Sequence, residues 1–167
     1  KVEVFATGFQ LPVNIAFVPN PGNHHDDPLF YVTELYGQVM VVARDGTVST
    51  YADNLLNFNP TGQFPGSGEK GVAGVVVDPA TGDLFVTLLY EAANGEHYPR
   101  IVRMRSEDGG RTAASITTVL EMPGEQISAS HQISNISIGP DNRLYVHIGD
   151  GFFDANALDL DTFRGKI

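Results

Sequence analysis

An all-β fold assembled from repeated units is predicted by three observations on this 167-residue chain. One segment occurs three times: Ile15-Ala16-Phe17-Val18-Pro19 before Leu29-Phe30-Tyr31-Val32, Val75-Val76-Val77-Asp78-Pro79 before Asp83-Leu84-Phe85-Val86, and Ile136-Ser137-Ile138-Gly139-Pro140 before Arg143-Leu144-Tyr145-Val146. The prolines at 19, 79 and 140 recur at spacings of 60 and 61 residues, which marks a repeated supersecondary unit. Each copy is β-branched and aromatic, turns at a cluster of Pro, Gly or Asp, and resumes as a strand. The repeat is therefore a hairpin.

In the first unit, strands are predicted over Val13 to Val18, Leu29 to Glu34, Gln38 to Ala43 and, beyond the tight Asp45-Gly46 turn, Thr47 to Ala52. The second unit repeats the plan over Gly74 to Val77, Leu84 to Tyr90, Arg100 to Arg105 and, after Asp108-Gly109, Ser115 to Glu121. The third starts with Asn135 to Ile138 and Leu144 to Ile148 and reaches Phe163 to Ile167. Four-stranded units at even spacing are the pattern of a β-propeller, so about two and a half blades are expected: 7–53, 70–122 and the start of a third over 131–167. Val2 to Ala6 reads as an isolated strand that completes the last blade of a closed ring. Asp53 to Lys70, Glu91 to Pro99 and Gly149 to Asp161 read as long loops, where ligand contacts concentrate.

Bulk properties narrow the partners. Twenty acidic against ten basic residues give a net charge of −10, which repels phosphate backbones and argues against nucleic acid. No apolar run approaches a membrane span. The absence of cysteine excludes a disulfide framework and thiolate metal sites. Lys1 follows no methionine and no signal-like segment, as expected of a processed or truncated terminus.

Antiparallel order places the residue before a blade's first strand and the residue after its second on one sheet edge. Glu69, His131 and Asp150 fall there. His131 and Asp150 belong to one blade, where the carboxylate would fix the imidazole tautomer and make a general base. Each has a plainer reading alone: His131 as a loop residue, Asp150 in Gly149-Asp150-Gly151 as a turn, Glu69 beside Lys70 as a surface pair. His24-His25-Asp26-Asp27 reads as a polar loop rather than a metal site, and no metal ligand is assigned. His97 and His147 read as packed or cross-strand residues, and the Asn135-Ile136-Ser137 sequon as an inner strand.

Gly68-Glu69-Lys70-Gly71-Val72-Ala73-Gly74-Val75 and His131-Gln132-Ile133-Ser134-Asn135-Ile136-Ser137-Ile138-Gly139-Pro140 resemble two segments of the soluble quinoprotein glucose and sorbosone dehydrogenases. Leu144-Tyr145-Val146-His147-Ile148-Gly149-Asp150 is similar to that family's strand ending in Gly-Asp, and Gly165-Lys166-Ile167 to its Gly-Lys-Ile/Val element. The resemblance implies a six-bladed periplasmic or extracellular parent that oxidises aldose sugars to lactones with pyrroloquinoline quinone (PQQ) and calcium. It further implies that His131 is the base, that Asp150 orients it, and that Glu69 and Gln132 contact the quinone. The calcium ligands and most basic residues of such a site are expected in blades beyond Ile167. Some members have Asp where this chain has Ser130, and Gly-Arg where it has Ser134-Asn135, so a cationic donor is replaced. The rival readings are a non-catalytic propeller binding module and a calcium-dependent sugar lactonase. Bare blade faces at both ends imply a homodimer or association with the missing blades.

Overall fold

The computed structural model describes residues 1–60 and 68–167, so the middle of the Asp53 to Lys70 stretch lies outside the described residues. Strands β1 (Pro12–Phe17), β2 (Pro28–Glu34), β3 (Gln38–Ala43) and β4 (Val48–Ala52) form one antiparallel sheet in sequence order. Strands β5 (Val72–Val77), β6 (Leu84–Glu91), β7 (His97–Arg105) and β8 (Ser115–Glu121) form a second sheet of the same order. A third holds β9 (Ile133–Ile138) and β10 (Leu144–Ile148). The chain is thus all-β, a partial β-propeller of two complete blades and the inner hairpin of a third.

The blades stack through their apolar faces. Tyr31, Val39, Val41 and Tyr51 of the first blade meet Val72, Val75, Leu84, Val86 and Met104 of the second in one cluster. Leu89 and Ile101 of the second meet Ile133, Ile136 and Ile148 of the third, with Ile127 filling between them. The same hydroxyl clasp closes both joints. Thr33 donates its Oγ1 hydrogen to Ala73 O at 2.6 Å, and Thr87 donates to Ser134 O at 2.7 Å. Phe17 pairs with Phe30, Val77 with Leu84 and Ile138 with Leu144, so Thr33 and Thr87 occupy one position in consecutive blades and His147 occupies it in the third.

Three expectations change. Val2 to Ala6 forms no strand, because no sheet edge among the described residues pairs with it. Phe163 to Ile167 forms a turn and a single bridge, Lys166 to Ile148, with the Lys166 ammonium bound by the carbonyls of Asn156, Ala157 and Arg164. The loop read over Glu91 to Pro99 is largely hairpin: β6 and β7 stay paired to Glu91↔His97 and turn at Gly95, whose φ is +79°. Pro99 ends a strand on sequence rules but is tolerated here. Its carbonyl accepts the Met122 N–H at 3.1 Å, so its missing donor falls at the end of β8. The polar run His24 to Asp27 is a loop, with Asp26 and Asp27 held by Arg111.

Candidate active site

Strand pairing decides which side chains meet at the blade rims. Pro12 pairs with Glu34, Val72 with Leu88 and Ile133 with Ile148, so these pairs occupy one place in three blades. One step outward a backbone bond repeats at 3.1 Å: Leu35 N–H to Leu11 O, Leu89 N–H to Gly71 O, Gly149 N–H to Gln132 O. The next pair outward is Gln10 with Tyr36, Lys70 with Tyr90, and His131 with Asp150. The third blade alone places a titratable base and a carboxylate there.

His131 Nδ1 lies 2.7 Å from Asp150 Oδ1, which also accepts the Phe152 N–H at 2.9 Å. The His131 bond foremost, then the Phe152 N–H, holds the Asp150 carboxyl below the ordinary carboxylate range. An ionised carboxylate only accepts, so Nδ1 carries the hydrogen, and the acceptor of the neutral imidazole is then Nε2. The Phe152 ring packs edge-on to the imidazole at 5.3 Å.

His131 sits in the left-handed region, at φ +58°, a conformation that a non-glycine residue holds only when its surroundings impose it. The surroundings do so at three points. Its N–H donates to Glu69 Oε2 at 3.2 Å, and its carbonyl accepts the Gly151 N–H at 3.2 Å. A side chain on Gly149 would put its Cβ 2.1 Å from that carbonyl oxygen, so the glycine is required for the strand to pass so close.

Glu69 is brought in where residues 68–70, ahead of β5, run alongside residues 129–131, ahead of β9, with Glu69 N–H bonded to Ala129 O at 3.1 Å. Gln132 is buried and braces this approach: its carboxamide NH2 donates to the Glu69 carbonyl, and its Oε1 accepts the Gly71 N–H at 3.3 Å. The four residues singled out from the sequence are thus one connected cluster. Glu69, His131 and Gln132 border a cleft of about 660 Å³ that lies over the inner strands β1, β5 and β9, with Asn14, Ala73, Gly74, Ser134 and Asn135 along it. Glu69 lines it and Asp150 stands behind His131, whereas no Lys or Arg appears in the lining among the described residues.

Sequence reasoning missed Asn14, Gly74 and Phe152. Asn14 and Gly74 were discoverable: with Asn135 they stand five residues before the three repeated prolines, one register on three inner strands.

The profile of the family described as glucose/sorbosone dehydrogenase matches residues 9–167. The chain belongs to the glucose/sorbosone dehydrogenase family. Among solved structures, this family member is similar to a "putative oxidoreductase (glucose dehydrogenase)" from Thermus thermophilus, at 25% identity and TM-score 0.74 over 99% of this chain and 44% of that one. It is similar in fold to a glucose dehydrogenase, at 15% identity and TM-score 0.76 over 95% of this chain and 43% of that one. It also resembles the soluble aldose sugar dehydrogenase of Escherichia coli in its apo form, at 19% identity and TM-score 0.66 over 98% of this chain and 44% of that one. No curated protein matches. The chain therefore spans less than half the length of these structures.

Proposed function

We propose that this chain carries the proton-accepting part of a sugar dehydrogenase site that oxidises the anomeric carbon of an aldose to a lactone. The observation that carries the reading is the 2.7 Å His131–Asp150 bond at the rim of the cleft. His131 Nε2 takes the proton from the anomeric hydroxyl, Asp150 holds the ring and stabilises the imidazolium that forms, and Glu69 fixes the backbone of the base. The anomeric hydrogen leaves as hydride with its electron pair, and the C–O bond becomes a carbonyl. PQQ, when bound, supplies the two-electron acceptor.

The lining supports a planar heterocycle in part. Ala73, Gly74, Ser134 and Gly149 are small, and the base stands at their edge. Cations for the anionic end of such a group, and ligands for calcium, we place outside this chain on the family resemblance; among the described residues no three His, Asp or Glu side chains are arranged to hold a metal ion. The periplasmic or extracellular location is proposed on the family resemblance alone.

The test is dye-linked oxidation of D-glucose by the full-length protein. His131→Ala should lower the rate by about 10²- to 10⁴-fold, the usual loss for a general base. An unchanged rate overturns the mechanism. PQQ that fails to bind in an absorbance titration, with sugar binding retained, would favour a non-catalytic binding module.

A further inference from the structure

We propose that the Asn135 carboxamide, turned by Asn14 so that its NH2 faces the cleft, is the hydrogen-bond donor that positions an acceptor oxygen of the ligand held there. The inference rests on the reading of this cleft as an active site.

Asn14, Gly74 and Asn135 hold one register on β1, β5 and β9, and Asn14 and Asn135 both line the cleft. Asn14 Nδ2 donates to Asn135 Oδ1 at 2.6 Å, so the first and third inner strands are joined directly. Gly74 stands at the same level on the strand between, where a Cβ would lie 2.2 Å from Ser134 O; its bare Cα is what lets β9 lie this close to β5.

The direction of the amides follows from one backbone group. Ile15 N–H donates to Asn14 Oδ1 at 2.8 Å. An N–H bonds only an acceptor, so the oxygen end of Asn14 is pinned at Ile15 and its NH2 is left for Asn135. That NH2 in turn needs an acceptor, so Asn135 presents its oxygen to Asn14. Both N–H bonds of Asn135 are then left without a partner among the described residues, as is the second N–H of Asn14.

The other lining carboxamide is buried and committed to bracing the backbone. Gln132 has its NH2 on the Glu69 carbonyl and its Oε1 under the Gly71 N–H. The Asn pair thus gives the cleft an amide donor, while the Glu69 carboxylate and His131 Nε2 are acceptors. Such a donor fits a carbonyl, carboxylate or hydroxyl oxygen, from either the sugar or a quinone cofactor.

The experiment is a binding titration of the full-length protein by calorimetry, with D-glucose alone in one arm and PQQ alone in the other. Asn135→Ala should weaken binding at least about tenfold in the arm whose ligand supplies the oxygen, the loss expected for one well-made hydrogen bond. Asn14→Asp keeps an oxygen for Ile15 but now offers a second oxygen to Asn135, which must turn its NH2 away from the ligand. It should reproduce most of the Asn135→Ala loss, and because glucose is neutral, charge repulsion does not imitate the result in that arm. In the unmodified protein, the Asn135 side-chain amide resonances should shift on titration. Unchanged affinity in both variants, or unshifted resonances with a ligand that binds, overturns the inference while leaving the His131 mechanism standing. If neither ligand binds the unmodified protein, both readings fall.

Discussion

The first and third blades carry the same hairpin with opposite outcomes at the rim. Gln10 and Tyr36 stand where the third blade has His131 and Asp150, over the same backbone bond: Leu35 N–H to Leu11 O in one, Gly149 N–H to Gln132 O in the other. The faces differ as well. Val75 and Val77 of the second blade are each 5% exposed beneath the first blade, whereas Ile15 and Phe17, at the same positions of the first, are 47% and 63% exposed. The backbone plan is therefore indifferent to whether a blade carries chemistry or is covered. The paired imidazole and carboxylate come from a few rim residues, and stability from whatever packs on the face.

The largest effect should come from the uncovered faces. Phe5, Pro12, Val13, Ile15, Phe30 and Val32 outline an apolar groove of about 550 Å³ on the first blade. On the third, Tyr145 is 44% exposed on the face that Phe85 buries in the second. A face on the order of several hundred Å², at roughly 25 cal/mol per Å², offers about 10 kcal/mol before the entropic cost of association. The 167-residue chain by itself should thus form a dimer or a higher assembly through its terminal blades. Light scattering that finds a well-folded monomer at micromolar concentration would show that the faces are not equivalent.

Next in size is the joint that is covered. Leu88 is 1% exposed in the cluster between the first and second blades. Leu88→Ala should cost about 2–5 kcal/mol of stability, the range for a buried leucine whose site cannot collapse. The structural counterpart in the first blade is Glu34, which bonds the Gln10 N–H, so the same truncation there tests a polar contact instead. Denaturant midpoints compare the two: equal losses would mean that the aliphatic joint is not what holds the blades.

Most of this scaffold was legible in the sequence because β-branched runs and Pro-Gly-Asp turns are local signals. All eight strands of the two complete blades were readable, and the errors lie at ends where a partner decides. Val2 to Ala6 has strand composition and no strand partner among the described residues, while His97 and Tyr98 follow a loop-like Asn94-Gly95 and are nonetheless paired. His131, Asp150 and Glu69 were legible as one cluster because antiparallel order alone brings them to one edge. The Gln132 brace and the Asn14–Asn135 bond were not, since both depend on how closely neighbouring blades approach, and that distance is set by Gly71 and Gly74 having no side chain.

A smaller effect distinguishes the two joints by their clasp. Thr87 Oγ1 both accepts the Gly74 N–H at 2.7 Å and donates to Ser134 O at 2.7 Å, whereas Thr33 Oγ1 bonds Ala73 O alone among the described residues. Thr87→Val keeps the shape and strands a buried donor and acceptor, so it should cost about 1–3 kcal/mol. Thr33→Val strands one acceptor and should cost less. Equal midpoints for the two variants in urea would show that the second hydrogen bond carries no weight.

The smallest effect is a pH dependence seated beside the cleft. His97 is buried, with Phe58 edge-on at 4.4 Å, Lys70 Nζ 3.5 Å from its Nδ1 and Glu91 Oε2 3.6 Å from its Nε2. Burial foremost, then the Lys70 charge, holds its pKa below the ordinary histidine value, against the opposing pull of Glu91. The imidazole is therefore neutral in the fold, with Nδ1 accepting from Lys70 and Nε2–H toward Glu91. Because the unfolded chain binds this proton more readily, acidification stabilises the unfolded state first. The His97 contribution is fully present above about pH 6.5, the unperturbed histidine pKa, and declines as pH falls below it toward the folded value. His97→Gln should flatten that part of the stability profile. The readout is the slope of the unfolding midpoint between about pH 7.5 and 5.5, wild type minus variant, so that the exposed histidines cancel. Parallel slopes would mean that the fold accommodates the proton at His97 without cost, with Glu91 closing on the imidazolium and Lys70 swinging away.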